Sequence, residues 1–445
     1  MKRKYFGTDG VRGPVGGPLI NPEFSARLGA AAGTWLRDHG GAALGARVVI
    51  GRDTRASGPM LAAAVAAGLQ KAGLHVMDAG VVPTPAIAMA VRDFGCAGGV
   101  AITASHNPAS DNGIKFFDAR GLKLSDSDEL RIEANLDAIG HLPVSGGPVE
   151  TVRVADAFVV RARSILPEGS LSGWKVALDA GHGAAFETSP AALRALGADV
   201  SLIGASPDGT NINAGVGSQH PEQLLDLVRS SGARIGIAHD GDADRVVLVD
   251  ERGDVCDGDE LLAILALHAL RTGRLPSRTL VATIQSNLGL DAALRAEGGE
   301  VLRTPVGDRY VAEAMLAGGH VIGGENSGHV ICAQVSMSGD GLAAALLAIR
   351  VMLETGKPLS KLRGWLKLFP QVNRNLKVRA KPDFASLPGF SAELAAIEGE
   401  LAGRGRVLAR YSGTEPKLRL LVESDSAELN ARLLDRLQAA FEREV

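Results

Sequence analysis

Gly98-Gly99-Val100-Ala101-Ile102-Thr103-Ala104-Ser105-His106-Asn107-Pro108 is the stretch that decides how this chain folds. Its first five residues are apolar or glycine and read as a buried strand; the polar residues behind them end on a helix-stopping proline. Such a strand delivers its next residues to the carboxyl edge of a sheet, where open α/β folds keep their ligands. The residue delivered is Ser105, a candidate nucleophile. His106 follows it directly, and adjacent side chains of an extended segment point apart, so a direct Ser–His couple is not expected. No Gly-x-Ser-x-Gly elbow surrounds Ser105, which argues against an ester hydrolase.

Upstream of this stretch, 47–50 and 75–78 are further strand candidates, with Ala-rich helical runs at 60–72 and 85–92. Asn21-Pro22-Glu23 opens an earlier helix with an Asn cap and proline at the first helical position. The strand–helix alternation predicts a mostly parallel sheet covered by helices. It recurs downstream in units of roughly 100 residues. Strands are expected at 175–179, 199–203 and 234–238 with helices at 185–196 and 221–231. They are expected again at 278–283, 300–303 and 320–322, with helices at 288–297 and 309–317. In each unit the third strand runs into a polar cluster: Ser105, then Asp240-Gly241-Asp242-Ala243-Asp244-Arg245, then Gly323-Gly324-Glu325-Asn326-Ser327-Gly328-His329. The tail differs, with strands at 371–379, 406–409 and 418–422, a loop at 410–416, and an amphipathic helix at 427–442 whose Leu429, Leu433, Leu434, Leu437 and Phe441 share one face. The expected architecture is therefore three similar α/β domains with mixed, mostly parallel sheets (1–153, 154–254, 255–369) plus a smaller C-terminal α+β domain (370–445), arranged around one central cleft.

The 445 residues are 46% hydrophobic and 22% charged, with 56 glycines and a net charge of −3. That composition suits a globular α/β protein, and without a long basic run no nucleic-acid partner is expected. No apolar run approaches the ~20 residues needed to span a bilayer, so no membrane association is expected. Met1-Lys2-Arg3-Lys4-Tyr5-Phe6 lacks a secretory apolar segment. Cys96, Cys256 and Cys332 are odd in number and widely spaced, which suggests neither a disulfide framework nor a zinc site. A cytoplasmic enzyme is the expected class.

Asp240, Asp242 and Asp244 crowd three carboxylates into five residues, where like charges raise one another's pKa unless a cation holds them. Hard oxygen ligands select Mg²⁺ or Ca²⁺. Glu251 falls at the twelfth position from Asp240, as in an EF-hand. The sixth position, however, is Arg245 where that loop needs glycine, and 246–249 reads as a strand, so Mg²⁺ is the better reading. In the tail loop, Arg410, Ser412, Gly413 and Thr414, with Arg419 shortly after, gather guanidinium, hydroxyl and amide donors suited to a phosphate. Glu325, Ser327 and His329 suit sugar hydroxyls, and His329 titrates near neutrality.

In their order and spacing, Thr103–Pro108, Asp240–Arg245, Gly324–His329 and Arg410-Tyr411-Ser412-Gly413-Thr414-Glu415-Pro416 resemble the phosphoserine, metal, sugar-binding and phosphate-binding loops of the α-D-phosphohexomutase family. The resemblance covers essentially the whole chain. Phe6-Gly7-Thr8-Asp9-Gly10-Val11-Arg12-Gly13 and Thr304-Pro305-Val306-Gly307-Asp308-Arg309-Tyr310 resemble its glucosamine branch, although Asn326 stands where that branch usually carries glutamine. The resemblance implies interconversion of glucosamine 6-phosphate and glucosamine 1-phosphate through a phosphoserine at Ser105 and a glucosamine 1,6-bisphosphate intermediate, a step that supplies amino-sugar precursors for UDP-N-acetylglucosamine and the cell wall. It implies one Mg²⁺ held by Ser105, Asp240, Asp242 and Asp244, and catalytic roles for Arg12, Lys115, Arg245 and His329. Lys115 and His329 both stand as proton carriers. Glu325, Asn326, Ser327, His329, Arg410, Ser412, Gly413, Thr414 and Arg419 are the expected substrate contacts, and the tail domain is expected to close by a hinge near 368–372. The partner is a hexosamine phosphate; a homodimer is one open oligomeric state. Rival readings are a phosphomannomutase/phosphoglucomutase, a sugar-phosphate phosphatase and a non-catalytic binding protein.

Overall fold

Five-residue, mainly apolar strands buried along their whole length lie inside each of the first three sheets: Gly98–Ile102, Ile235–His239 and Thr279–Thr283 are buried at every position. Continuous burial of this kind is what strands covered by helices on both faces require. The computed structural model describes residues 3–7, 9–412 and 416–445. The chain divides into two units, Met1–Ser286 with Glu297–Trp365, and Asn287–Ala296 with Leu366–Val445.

Three sheets build the first unit. In the first, Arg47–Arg52 lies parallel to both His75–Val81 and Gly98–Ile102, and Asp111–Phe117 returns antiparallel beside Gly98–Ile102. Val11–Pro14 closes that edge against Asp111–Phe117. The second sheet repeats the plan: Lys175–Asp179 is parallel to Asp199–Ile203 and Ile235–His239, and Val246–Asp250 returns antiparallel. In the third, Thr279–Thr283 is parallel to Glu300–Thr304 and Ile322–Gly324, with Val330–Cys332 returning antiparallel. The mostly parallel pattern is as expected. What the residue pattern did not announce are the returning strands 111–117 and 330–332. Each polar cluster is consequently the turn of a hairpin, tied at both ends.

Local chemistry explains the boundaries. The Asn21 side chain caps Pro22–Asp38 by accepting from the Phe24 amide at 2.9 Å, with Pro22 at the first position. Asp257 and Glu260 form a reciprocal capping box on Gly258–Arg271. The third strand of the last sheet lies two residues later than expected. Gly323 and Gly324 are themselves strand residues, paired with Val281 and Ala282 on one side and Ile331 and Val330 on the other. A Cβ on Gly323 would come within 2.6 Å of the Met315 sulfur, so the glycines permit close packing where a turn was anticipated.

The second unit has an antiparallel sheet in the order Gln371–Lys377, Lys417–Ser424, Gly405–Tyr411. Helices Pro388–Leu401 and Ala427–Glu442 cover it through Phe390, Ile397, Leu401, Leu433, Leu434, Leu437 and Phe441. Arg410 and Tyr411, expected in the loop, belong to the strand: they pair with Arg419 and Leu418. Tyr411 also packs its ring 4.9 Å from Phe384, which gives the strand two more residues. No helix among the described residues is long and apolar enough to cross a membrane.

Candidate active site

Strand Gly98–Ile102 ends in a buried polar turn. Thr103 donates from Oγ1 to Asp53 at 2.6 Å and accepts from the Ser105 amide at 2.9 Å. Ser105 then takes a left-handed backbone, φ 54°, unusual for a residue with a side chain. That twist buries Ser105 completely and lets its Oγ donate to Asp240 Oδ2 at 2.6 Å. It also corrects the expectation about His106. The segment is not extended there, so the two side chains do not diverge; His106 Nδ1 lies 3.4 Å from Ser105 Oγ. Burial, with the Arg245 and Arg12 cations nearby, lowers the His106 pKa to about 4, so the imidazole is neutral at physiological pH.

The acidic cluster is the hairpin turn between Ile235–His239 and Val246–Asp250. Ala243, at φ 57°, bends it. All three aspartates are buried and offer ligand oxygens within 4.8 Å of one another. Lys115, on the returning strand Asp111–Phe117, places Nζ 2.8 Å from Asp242 Oδ2 and 3.3 Å from Asp244 Oδ2. Thr84 Oγ1 donates to the same Asp242 oxygen at 2.7 Å. Among the described residues, the buried Oδ1 atoms of Asp242 and Asp244 meet no hydrogen-bond donor. Burial and the two neighbouring carboxylates push the Asp240 pKa well above its ordinary value. Unused buried oxygens and mutual repulsion are what a hard divalent cation would relieve, so the donor set fits a metal. The EF-hand alternative has no support, because Glu251 is engaged elsewhere, with the Ser360 hydroxyl.

Burial works against the charge on Lys115, but Asp242, Asp244 and Asp9 outweigh it and hold its pKa up. Arg245 is half-buried, and Asp244 and Asp240 outweigh that burial and hold it cationic. In the third turn, Glu325 accepts from the Gly307 amide at 3.0 Å, Ser327 Oγ lies 3.4 Å from Glu325, and Asn326 is exposed. His329 is buried with Nε2 3.1 Å from Asp308 and 3.8 Å from Asp244. Burial opposes its protonation; Asp308 more than compensates and raises its pKa. Arg12, on Val11–Pro14, is ion-paired with Asp9.

Ser105, Lys115, the three aspartates, Arg245 and His329 thus come together within the first unit. Several partners went unrecognised in the residue pattern. Asp9 sits 3.0 Å from Lys115 and 2.6 Å from Lys123, and Lys123 in turn pairs with Asp308. Asp9 and Asp308 lie in stretches that had been read only as marks of a family branch. Lys123 and Thr84 carried no signal at all, because their neighbours are brought in by the hairpins.

In the second unit, Arg410 and Arg419 stand directly opposite on neighbouring strands, and Arg419 Nη2 is 3.5 Å from Ser412 Oγ. Burial and the Arg419 charge lower the Arg410 pKa. Facing like charges are unfavourable unless an anion lies nearby. Gly413 and Thr414, expected in this loop, lie outside the described residues.

Three helix-covered sheets with an acidic triad on a buried serine, followed by an antiparallel tail, define a phosphohexomutase. The chain belongs to the phosphoglucomutase/phosphomannomutase family: residues 3–142, 160–253 and 257–368 match its alpha/beta/alpha domains I, II and III, and 372–440 its C-terminal domain. It is 47% identical over 451 residues to phosphoglucosamine mutase of Bordetella petrii, covering 99% of each chain. It is 47% identical over 425 residues to that of Symbiobacterium thermophilum, covering 94% of each. Its fold matches the crystal structure of a phosphoglucomutase/phosphomannomutase family protein from Burkholderia thailandensis with a TM-score of 0.83 and 26% identity, over 100% of this chain and 98% of that one.

Proposed function

We propose that this enzyme is an isomerase that interconverts glucosamine 6-phosphate and glucosamine 1-phosphate, with Ser105 as phosphate carrier and glucosamine 1,6-bisphosphate as intermediate. The observation that carries this reading is the 2.6 Å contact between Ser105 Oγ and Asp240 inside a buried carboxylate triad, together with near full-length similarity to phosphoglucosamine mutases. The Ser105 hydroxyl donates to Asp240 of that triad at 2.6 Å, while the neutral His106 imidazole stands further off, at 3.4 Å.

Phosphoryl transfer asks the protein for positioning and charge neutralisation. Mg²⁺ held by Asp240, Asp242, Asp244 and the phosphoserine would supply part of that neutralisation. Lys115 and Arg245 add two positive charges fixed by buried partners. The substrate hydroxyl attacks the phosphoserine phosphorus: a new O–P bond forms, the P–Oγ bond breaks with its electron pair on Oγ, the hydroxyl proton passes to a base, and Oγ takes up a proton to restore the serine hydroxyl. Lys115 and His329 are the two groups assigned to that proton: against burial, Asp242, Asp244 and Asp9 raise the pKa of the first and Asp308 that of the second. Glu325, Asn326 and Ser327 are assigned to the sugar, and Arg12 to the reacting phosphate. Arg410, Ser412, Gly413, Thr414 and Arg419 are assigned to binding a phosphate ester.

The test is a side-by-side measurement of kcat/KM on glucosamine, glucose and mannose 6-phosphates after activation by a 1,6-bisphosphate. Glucosamine 6-phosphate is expected to lead by roughly tenfold or more, since the amine requires its own polar contacts. Preference for a glucose or mannose phosphate would reassign the substrate. Steady release of inorganic phosphate would replace the mutase reading with a phosphatase.

A further inference from the structure

The left-handed backbone at Ser105 needs a restraint, because an L-residue with a side chain avoids that conformation. The restraint comes from two residues that no motif in the sequence singled out. Arg55 is one of the largest fully buried side chains in the protein, 1% exposed. Its guanidinium is oriented by Asp53, at 2.9 Å from Nε, and spends its remaining donors on backbone carbonyls. Nη2 donates to Ser105 O at 3.1 Å and Asn107 O at 2.8 Å; Nη1 donates to Asp111 O at 2.9 Å and to Pro108 O. Four carbonyls of one turn therefore converge on one cation.

The second restraint comes from another sheet's connection. Asn213, in the segment between Asp199–Ile203 and Glu222–Ser231, donates from Nδ2 to Ser105 O at 2.9 Å and to Asn107 O at 3.0 Å. It is itself left-handed at φ 59°, which asparagine tolerates, and its amide is anchored to Gly181 O at 2.8 Å. The same Ser105 carbonyl packs against Gly241 of the acidic turn, where a Cβ would lie 2.6 Å from it. Ser105 O is thus gripped from one side by Arg55 and from the other by Asn213, with the acidic turn against it.

We propose that Arg55 and Asn213 are positioning residues that clamp the Ser105 and Asn107 carbonyls. By holding Ser105 left-handed, the clamp sets its Oγ on the carboxylate triad. Neither side chain is assigned any contact with substrate; both act through the backbone of the serine turn. Because Asn213 reaches across from the connection that packs on the acidic turn, the clamp also ties serine and cation site into one rigid frame. This inference rests on the mutase reading for its kinetic consequence, but not for its structural one.

The test compares the full-length protein with Asn213→Gly, which keeps the left-handed backbone and deletes the donor, and with Asn213→Asp, which keeps the shape and replaces the donor with an acceptor. Two quantities are read: kcat and KM on glucosamine 6-phosphate, and amide hydrogen exchange across 104–111. In both variants kcat is expected to fall roughly 10- to 100-fold, as a displacement of about 1 Å at a reacting atom does, while KM changes by less than about threefold. Exchange is expected to quicken in 104–111 and stay unchanged in the other strands. A residue that merely supports the fold would instead quicken exchange throughout the sheet. Arg55→Lys, which keeps the charge and loses the fork, is expected to move both readouts in the same direction. Wild-type kcat in Asn213→Gly, or unaltered exchange in 104–111, overturns the clamp. If the wild-type protein fails to turn over glucosamine phosphates, the functional reading falls, and the exchange comparison still decides the clamp.

Discussion

Ser105→Ala and Ser105→Gly are both expected to lower turnover of glucosamine 6-phosphate by roughly 10⁴-fold or more, the range seen when a covalent nucleophile is removed. The pair matters because the two variants differ in backbone preference. Glycine accepts φ 54° without penalty and alanine does not. Ser105→Gly should therefore fold at least as stably as Ser105→Ala, and equal loss of activity in both would trace the effect to the missing Oγ rather than to the turn. Mass measurement after incubation with a 1,6-bisphosphate should find one added phosphoryl group on the wild-type chain and none on either variant. Turnover near the wild-type rate in Ser105→Gly would remove the phosphoserine mechanism.

Chelation of divalent cations is the second large effect. Loss of several kcal/mol of transition-state charge stabilisation corresponds to a fall of roughly 10³-fold or more in kcat, reversed by Mg²⁺. A stability signature with a defined sign accompanies it. Burial, Asp242 and Asp244 raise the pKa of Asp240 in the metal-free fold. A carboxyl whose folded pKa exceeds its unfolded value of about 3.9 contributes stability below that value, and loses it as pH rises through the folded pKa. A cation takes the place of that proton, so the gain in melting temperature on adding Mg²⁺ should grow as pH is raised above the unfolded carboxylate value of about 3.9. At free Mg²⁺ one hundred times its Kd the gain is about 2.7 kcal/mol. A Mg²⁺-induced shift that is absent, or that shrinks with rising pH, would contradict an aspartate-held cation.

The parts of the site that could be read beforehand are those whose chemistry is local. Three aspartates at alternate positions repel one another wherever the chain goes, so Asp240, Asp242 and Asp244 announced a cation before any fold was known. Ser105 behind an all-apolar strand was legible for the same reason: a buried parallel strand has few places to end. Lys115 could be named only through a resemblance. Its strand 111–117 mixes polar and apolar residues, yet is buried at six of its seven positions. Its lysine charge is tolerated because Asp242, Asp244 and Asp9 meet it, and those residues are remote in sequence. The misreading of His106 has a different origin. Side-chain alternation presumes extended backbone, and one left-handed residue was enough to undo it.

The sequence by itself determined the alternation of parallel strands and helices in each repeat, the polar clusters behind the buried third strands, and the identity of the carboxylates that suit a cation. All of these follow from burial, periodicity and charge over a few residues. Only the tertiary structure decided what Ser105 can do. Its left-handed turn is held by Arg55, 50 positions away, and Asn213, 108 positions away, and its hydroxyl meets Asp240 at a separation of 135 residues. Local preference favours none of this at a serine, so the geometry exists because buried carbonyls and charges from separate sheets must find their partners in one place.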